Sequence, residues 1–289
     1  MYAITGITGQ VGSELGRQLL AAGLPVRAVV RDAAKGAVWA AQGAEVALAD
    51  MNDAAALTRA FSGAEAVFVL LPPTFDPTVG FQEARRTIAA LREALAAARP
   101  SRVVVLSTVG AQASQPNLLN QLGIMERELS ALDLPIAFLR AAWFIENSLW
   151  DVAAARDAHR IPSFLQPVER KVPMVACADI SAVAAELLQQ QWSGRRVVEL
   201  EGPQRISPAD IAAGFGRLLG HDVNAFMVPR AQWADLFISQ GMNNPTPRMQ
   251  MLDGFNEGWI EFEGGQQGSR KGSVTLDQAI AALLQRSAA

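Results

Sequence analysis

Short, unbroken apolar runs alternate with helical segments through about the first half of the chain. Parallel strands joined by helices form right-handed βαβ units, and strands that are apolar along their whole length are covered by helices on both faces of the sheet. The pattern therefore predicts an α/β, doubly wound fold with a parallel, Rossmann-type sheet. The predicted strands are Tyr2–Thr5, Pro25–Val30, Ala44–Leu48, Ala66–Leu71, Arg102–Leu106 and Pro135–Leu139.

Capping residues mark where several of the connecting helices begin. Asp32 is predicted to cap a helix that runs to about Gln42, and Asp53 is predicted to cap a helix that ends at Phe61. The other predicted helices of this half are Val11–Ala22, Gly80–Ala98 and Leu118–Leu132.

Regularity falls after about residue 150, and this change predicts two parts. Residues 1–150 form the Rossmann domain, to which residues 176–200 return. Residues 151–175 and 201–289 form a smaller, irregular α/β substrate or lid domain, in which Met242–Gly272 is expected to be a helix and loops folded over a site. The elements predicted here are the capped helix Asp179–Gln191, the strand Arg196–Leu200, a helix opened by Ser207-Pro208 and a final helix after the capping box Thr275–Gln278.

Composition excludes several classes of protein. Half of the 289 residues are apolar and 18% are charged, which suits a packed core and not a disordered chain. The net charge of −3 creates no basic field for nucleic acid. A single cysteine, Cys177, forms no internal disulfide, and with two histidines the chain cannot build a Cys₄ or Cys₂His₂ zinc site. No metal is predicted, although a carboxylate-rich site stays open.

Targeting signals are also missing from the sequence. The N-terminus lacks the basic and long apolar regions of a signal peptide, and no apolar run reaches membrane-spanning length. We expect a cytoplasmic protein, monomeric or homodimeric, with no membrane or nucleic-acid partner.

The strongest chemical signal is the turn after the first strand, Thr5-Gly6-Ile7-Thr8-Gly9-Gln10-Val11-Gly12. Gly6 permits the tight turn, Gly9 lets the backbone approach a phosphate, and Gly12 lets the helix pack on the sheet. Backbone amides near Gly9–Val11 would face a pyrophosphate, aided by the helix dipole. A glycine cluster alone also occurs in ordinary turns. Its position between a strand and a helix at the start of a βαβ series predicts dinucleotide binding.

Arg31 at the end of the second strand favours NADP(H) over NAD(H). It lies 19 residues after Gly12, where an NAD site usually carries an acidic residue that binds the ribose 2′-hydroxyl. Its guanidinium can donate two hydrogen bonds to a 2′-phosphate, and Lys35 adds a positive charge nearby. The alternative is a solvated Arg31 paired with Asp32, which could itself contact ribose. Asp50, after the third strand, either accepts from the adenine amino group or caps the next helix.

Several segments resemble the NmrA-like group of atypical short-chain dehydrogenases. They are the glycine turn, the Val29-Val30-Arg31-Asp32 strand end, the segment Phe138–Asn147, and Ala178-Asp179-Ile180 before an alanine-rich helix. Phe138–Asn147 is similar to the family pattern LRPGFFxEN, with Ala142 in its glycine region. The resemblance covers most of the chain, strongly to about residue 200. The group includes quinone reductases, azo-dye and triphenylmethane-dye reductases, and redox sensors that bind NADP without catalysis.

Further cofactor contacts are expected at the ends of the fourth strand (Leu71, Pro72) and the fifth strand (Ser107, Thr108). The resemblance implies that Trp143, Phe144 and Asn147 lie near the nicotinamide, where they would contact the acceptor. The alternative for Ser107 and Thr108 is that their hydroxyls are satisfied within the turn. The alternative for Trp143 and Phe144 is that their rings belong to the core. The predicted cofactor-binding residues are Gly6, Thr8, Gly9, Gln10, Val11, Gly12, Arg31, Lys35, Asp50, Leu71, Pro72, Ser107 and Thr108.

The only tyrosine, Tyr2, lies in the first predicted strand. The chain therefore lacks the YxxxK pair of short-chain dehydrogenases, and Leu122 stands where relatives carry lysine or histidine. Reduction of a ketone needs a proton donor, whereas a quinone or dye needs one far less. We predict an NADPH-dependent reductase of a small, electron-poor aromatic acceptor, with no assigned catalytic residue. A non-catalytic NADP(H) sensor is the alternative, and a sugar-nucleotide epimerase is disfavoured by the missing tyrosine.

Overall fold

The computed structural model describes residues 1–288 of the chain. Its strands are β1 Tyr2–Ile4, β2 Val26–Val30, β3 Glu45–Leu48, β4 Ala66–Leu70, β5 Arg102–Thr108, β6 Ile136–Ala141, β7 Trp143–Phe144, β8 Arg160–Ser163, β9 Met174–Val175, β10 Arg195–Glu201, β11 Asn224–Met227 and β12 Arg270–Lys271. Eight of them form one parallel sheet in the order β12-β10-β6-β5-β4-β1-β2-β3. This architecture confirms the predicted doubly wound α/β fold.

Helices cover both faces of the sheet. They are α1 Gln10–Ala21, α2 Ala33–Ala40, α3 Ala54–Phe61, α4 Gln82–Ala98, α5 Asn120–Ser130, α6 Val152–Asp157, α7 Cys177–Gln189, α8 Pro208–Leu219, α9 Trp233–Ser239, α10 Thr246–Glu257, α11 Gly265–Gly268 and α12 Leu276–Ala288. Successive side chains of a strand point to opposite faces. In β1, Tyr2 and Ile4 belong to the core under α1, α2 and α7, whereas Ala3 belongs to the core under α3, α4 and α5. The unbroken apolar strands reflect this burial on both sides.

The elements predicted for the first half are all present, with bounds within two residues of those expected. Asp32 caps α2 by accepting from the Ala34 amide at 2.8 Å, and Asp53 caps α3 by accepting from the Ala56 amide at 2.9 Å. Both capping predictions are therefore confirmed. None of the helices described is long and apolar enough to cross a membrane.

The second half of the chain differs from its prediction at several points. The predicted cap of α7 is wrong, because the helix begins at Cys177 and Asp179 instead accepts the backbone amides of Ser273 and Val274 at 2.9 and 3.0 Å. The expected helix and loops of Met242–Gly272 also contain the edge strand β12. Two small parallel pairs, β8 with β11 and β7 with β9, were not predicted, because each joins segments far apart in the chain.

The other strand, helix and capping predictions for this half are confirmed. The strand β10 returns to the sheet beside β6. Ser207 and Asp210 form a reciprocal capping box at the start of α8. Thr275 and Gln278 form the same motif before α12.

Candidate functional site

The chain reverses its direction of travel across the sheet at β1, whose neighbours are β2 on one side and β4 on the other. In open α/β sheets, ligands bind in the crevice at the carboxyl ends of the strands beside such a switch point. The glycine turn Thr5–Gly12 leaves β1 at this crevice. The topology therefore brings the sequence motif to the edge at which open α/β sheets bind their ligands.

Thr5 and Gly6 fix the path of the turn. The Thr5 hydroxyl donates to the Phe68 carbonyl at 3.1 Å and accepts from the Leu70 amide at 3.3 Å, which joins the ends of β1 and β4. Gly6 has a φ of +62°, a conformation that favours glycine. A Cβ atom there would also lie 2.6 Å from the Leu70 side chain. Residue 6 must therefore be glycine, because of its positive φ angle and because the Leu70 side chain leaves no room for a Cβ atom.

Gly9 stands at the N-cap of α1 with no side chain to satisfy the helix's first amides. Amides of Gln10, Val11 and Gly12 belong to the first turn, which has no intrahelical acceptors for them. A Cβ atom at Gly9 would meet only the Gly6 carbonyl oxygen, at 3.3 Å, within the protein itself. The space beside Gly9 is therefore open, and the exposed Thr8 lies next to it. A helix N-terminus of this kind suits a pyrophosphate.

The helix α7 packs against α1. The Ser181 hydroxyl donates to the Val11 carbonyl at 3.0 Å, and the Cys177 thiol lies 3.7 Å from the Gln10 side-chain oxygen. Cys177 is buried, and its backbone amide donates to the Glu146 carboxylate at 2.9 Å. Burial, with the nearby Glu146 carboxylate, raises the pKa of the Cys177 thiol far above its ordinary value. Cys177 thus supports the start of α1 as an unreactive thiol.

Two exposed cations occupy the β2 side of the crevice. Arg31 directly follows β2, and Lys35 lies in the first turns of α2. The Asp32 carboxylate is used by the helix cap and does not pair with Arg31 in the described structure. Asp50 is exposed and accepts from the Asn52 amide at 2.8 Å, so it does not cap α3. The pairing of Arg31 with Asp32 and the capping of α3 by Asp50 are therefore not observed among the described residues.

On the other side of the switch point lie Leu71 and Pro72, after β4, and Ser107 and Thr108, the last residues of β5. Leu71 is half-buried and Pro72 is exposed, while Ser107 is buried and Thr108 half-buried. The predicted contacts for the nicotinamide half thus share one edge of the sheet with the glycine turn.

Ser107 does not satisfy its hydroxyl within the turn, as one alternative had it. It donates to the Glu126 carboxylate at 2.5 Å, and that carboxylate receives two hydrogen bonds from Arg140, at 3.0 and 2.7 Å. The pair of Glu126 and Arg140 was missed as a unit from the sequence, because 14 residues separate them and only the sheet brings them together. A serine donating to a carboxylate offers its oxygen lone pairs to a ligand.

Aromatic side chains border the crevice beyond β6. Trp143 and Phe144 are half-buried, and Trp143 packs edge to face on Phe255 of α10, with ring centroids 5.3 Å apart. Asn147 is exposed in the following 3₁₀ helix, Ile145–Asp151. Phe255 was not predicted. The two predicted aromatic residues therefore pack against the core and keep part of their surface free.

The C-terminal part of the chain is fastened over the β4 and β5 ends at several points. Asp76, in the loop after β4, accepts from the backbone amides of Asn243 and Asn244 at 2.8 and 2.6 Å and from the Asn243 side chain at 2.9 Å. These hydrogen bonds, those from the backbone amides first, lower the pKa of the Asp76 carboxyl. We call this contact the latch.

A second fastening is made by the segment Trp259–Gly264, here called the strap. Ile260 packs so closely on Gly110, just past β5, that a Cβ atom at Gly110 would lie 2.8 Å from Ile260. The Gln112 side chain donates to the Glu261 carbonyl at 2.8 Å. Arg205 forms two hydrogen bonds with the Glu261 carboxylate, at 2.6 and 2.8 Å. Latch and strap together attach the C-terminal part of the chain to the segments that follow β4 and β5.

Within residues 1–288, no three His, Cys, Asp or Glu side chains are grouped in a way that could hold a metal ion.

A parallel, doubly wound sheet with a glycine turn at its switch point defines a dinucleotide-binding protein. Residues 6–191 match the family described as NAD(P)H-binding, and the chain belongs to that family. The chain is 29% identical over 244 residues to the NAD(P)H azoreductase of Xenophilus azovorans, covering 84% of this chain and 82% of the relative.

Two further comparisons agree with this family. The chain is 29% identical over 245 residues to quinone oxidoreductase 2 of Escherichia coli strain K12, covering 84% of this chain and 82% of the relative. The solved structure of an NADPH-dependent quinone oxidoreductase from Escherichia coli, complexed with NADPH, has a TM-score of 0.79. It is 24% identical and covers 98% of this chain and 100% of that chain. The NmrA-like resemblance of the sequence is thereby confirmed.

Proposed function

We propose that this protein reduces small, electron-poor aromatic acceptors, such as quinones and azo or triphenylmethane dyes, with NADPH. The single observation that carries the proposal is the glycine turn Thr5–Gly12 at the switch point of the parallel sheet, on the edge where β4 and β5 also end. The names of the relatives, an azoreductase and a quinone oxidoreductase, support the same class of acceptor.

The cofactor would lie along the crevice with its pyrophosphate at Gly9 and its adenosine half towards β2. Arg31 and Lys35 would contact the 2′-phosphate, and Asp50 the adenine amino group. The nicotinamide half would meet Leu71, Pro72, Ser107 and Thr108. NADPH supplies the hydride; the protein supplies orientation and a closed space.

The acceptor would bind beside Trp143, Phe144 and Asn147, under the latch and strap. The structure offers no tyrosine there, since Tyr2 is buried in β1. Ser107 also makes a poor proton donor, because its proton is directed to Glu126. An acceptor that forms a delocalised phenolate tolerates this lack of an acid, which is why we favour quinones over ketones.

A redox sensor that binds NADP(H) without turnover is the second candidate. It shares the glycine turn and Arg31, and it has no need of an acceptor space. The attachment of the C-terminal part to the segments after β4 and β5, by the latch and strap, supports the enzyme. We further propose a cytoplasmic location and a division into a cofactor part, residues 1–150 with 176–200, and a lid part made from the rest.

The test is a spectrophotometric screen of NADPH oxidation at 340 nm with quinones and dyes, set against NADPH binding measured by nicotinamide fluorescence. Turnover of at least one quinone or dye, in addition to binding, supports the reductase. Tight binding with no turnover of any acceptor supports the sensor. Absence of binding would overturn both.

A further inference from the structure

Three polar side chains form a row across the carboxyl edge of the sheet. Ser107 on β5, Arg140 on β6 and Glu199 on β10 are register partners, so they leave the same face side by side. Ser107 is 4% exposed and Arg140 5% exposed. A buried guanidinium needs partners for its donors, so the geometry of this row is closely determined by its hydrogen bonds.

Arg140 divides its donors between two sets of carboxylates. Its Nε and Nη2 donate to Glu126 at 3.0 and 2.7 Å, and Glu126 also receives the Ser107 proton. Its Nη1 donates to Glu263 at 2.8 Å and to Glu199 at 3.4 Å. Because the guanidinium is planar and rigid, a movement of one set of carboxylates rotates the whole group. The N–H donors that face the other set are then reoriented.

Glu263 and Glu199 connect this guanidinium to the strap. Glu263 belongs to the strap, and Glu199 accepts the backbone amides of Glu263 and Gly264 at 2.8 and 2.9 Å. The strap in turn places Ile260 on Gly110, three residues after Ser107. Arg140 is therefore hydrogen-bonded to the strap directly and to the Ser107 hydroxyl through Glu126.

We propose that Arg140 is a positioning residue for hydride transfer, an inference that rests on the proposed function. Through Glu126 it holds Ser107 as a hydrogen-bond acceptor towards the nicotinamide end of the crevice. Through Glu263 and Glu199 it keeps the strap in register with that hydroxyl. Loosening the strap end of this network therefore reorients Ser107 and lowers kcat, with little effect on NADPH affinity.

A double-mutant cycle of Ser107→Ala and Glu263→Gln tests the coupling. The Glu263 side chain is 67% exposed, so its replacement leaves the core intact. We expect each single variant to lower kcat for 1,4-naphthoquinone about 5-fold, as for one weakened hydrogen bond. If the two residues are coupled, the kcat of the double variant should fall only about as much as that of the worse single variant. If they are independent, it should fall about 25-fold.

Two further variants separate positioning from general stability. Arg140→Lys keeps the charge and removes the fork, so Glu263→Gln should have no further effect in that background. Glu93→Gln removes an exposed carboxylate on α4 and should leave kcat unchanged. NADPH dissociation constants, measured by nicotinamide fluorescence, should stay within about 2-fold for Glu263→Gln, because the phosphate site is untouched.

The possible results distinguish this inference from the proposed function. Suppose that the unmodified protein reduces a quinone. If the losses of kcat then multiply in the double variant, or if Glu263→Gln loses no kcat, the role of Arg140 is overturned and the reductase stands. No turnover with any quinone or dye overturns the reductase and the inference together. If Arg140→Lys does not fold, the cycle of the other two variants still decides the matter.

Discussion

Gly12 packs so closely on Gly6 that a Cβ atom at position 12 would overlap the Gly6 carbonyl oxygen and approach the Ile7 backbone. The contact is between backbone atoms, which cannot rotate away as a side chain can. It brings the start of α1 against the end of β1, and the glycine turn keeps its shape because of it. Gly9, three residues earlier, meets no such obstacle within the protein.

The two glycines should therefore fail in different ways when replaced. Gly9→Val should retain the fold and lose NADPH binding, because its side chain would occupy the space where the phosphate approaches. Gly12→Ala should lower the melting temperature, because α1 must move away from the sheet. Circular dichroism melts and NADPH fluorescence titrations measure both effects. A folded Gly9→Val variant with normal affinity would place the phosphate site elsewhere.

Arg31→Ala should narrow the preference for NADPH over NADH. A charge-assisted hydrogen bond to a 2′-phosphate is worth about 1.5–3 kcal/mol, so we expect the ratio of the two affinities to fall by about 10-fold or more. Affinity for NADH should change little, since it lacks that phosphate. Calorimetric titration with both cofactors measures the ratio. Equal affinities for the unmodified protein would contradict this assignment of Arg31.

Quinones should be reduced and unactivated ketones should not. Hydride addition to a ketone makes a strongly basic alkoxide, and a missing general acid costs about 10²–10⁴-fold in rate. A quinone yields a delocalised phenolate and avoids most of this cost. Matched assays with 1,4-naphthoquinone and acetophenone make the comparison. Efficient ketone reduction would show that a proton donor is present in the crevice.

Asp76→Asn should open the latch and raise KM for the acceptor several-fold. The amide that replaces one carboxylate oxygen would face a backbone amide donor and cannot accept from it. NADPH affinity should be preserved, because the latch lies on the acceptor side. Asp235→Asn, an exposed acid on α9, serves as the matched control. An unchanged KM would mean that the latch does not control access.

The latch also has a defined pH dependence. Its hydrogen bonds lower the pKa of Asp76 below the ordinary aspartate value of about 3.9. Its stabilising contribution is therefore present above that ordinary value and is lost as the pH falls through the lower, folded-state pKa. Acceptor KM should consequently show no titration of Asp76 between about pH 5 and 8.

Cys177 should resist thiol reagents in the folded protein. Burial and the Glu146 carboxylate raise its pKa, so very little thiolate exists at neutral pH. We expect a disulfide reagent to label it slowly in the native state and rapidly in denaturant. The release of the coloured thiolate product measures both rates. Fast native labelling would show that α7 separates readily from α1.

Much of the candidate cofactor site could be proposed from the sequence because its parts are local. The spacing of Gly6, Gly9 and Gly12 and the position of Arg31 after β2 depend only on one strand, one turn and one helix. Capping by Asp32 and Asp53 was equally predictable, since each acceptor lies within three residues of its donor. The cap assigned to Asp179 was wrong because distant amides, of Ser273 and Val274, compete for the same carboxylate.

The sequence by itself determined the doubly wound fold, the glycine turn and the lack of a tyrosine beyond β1, because these follow from hydrophobic period, glycine spacing and residue count. Only the tertiary structure decided how the C-terminal part packs on the segments that follow β4 and β5. The latch joins Asp76 to Asn243 across 167 residues of chain, and the Arg140 network joins β6 to the strap across 123 residues. Such contacts arise from the register of a parallel sheet and the path of the chain over its edge, which no local pattern encodes.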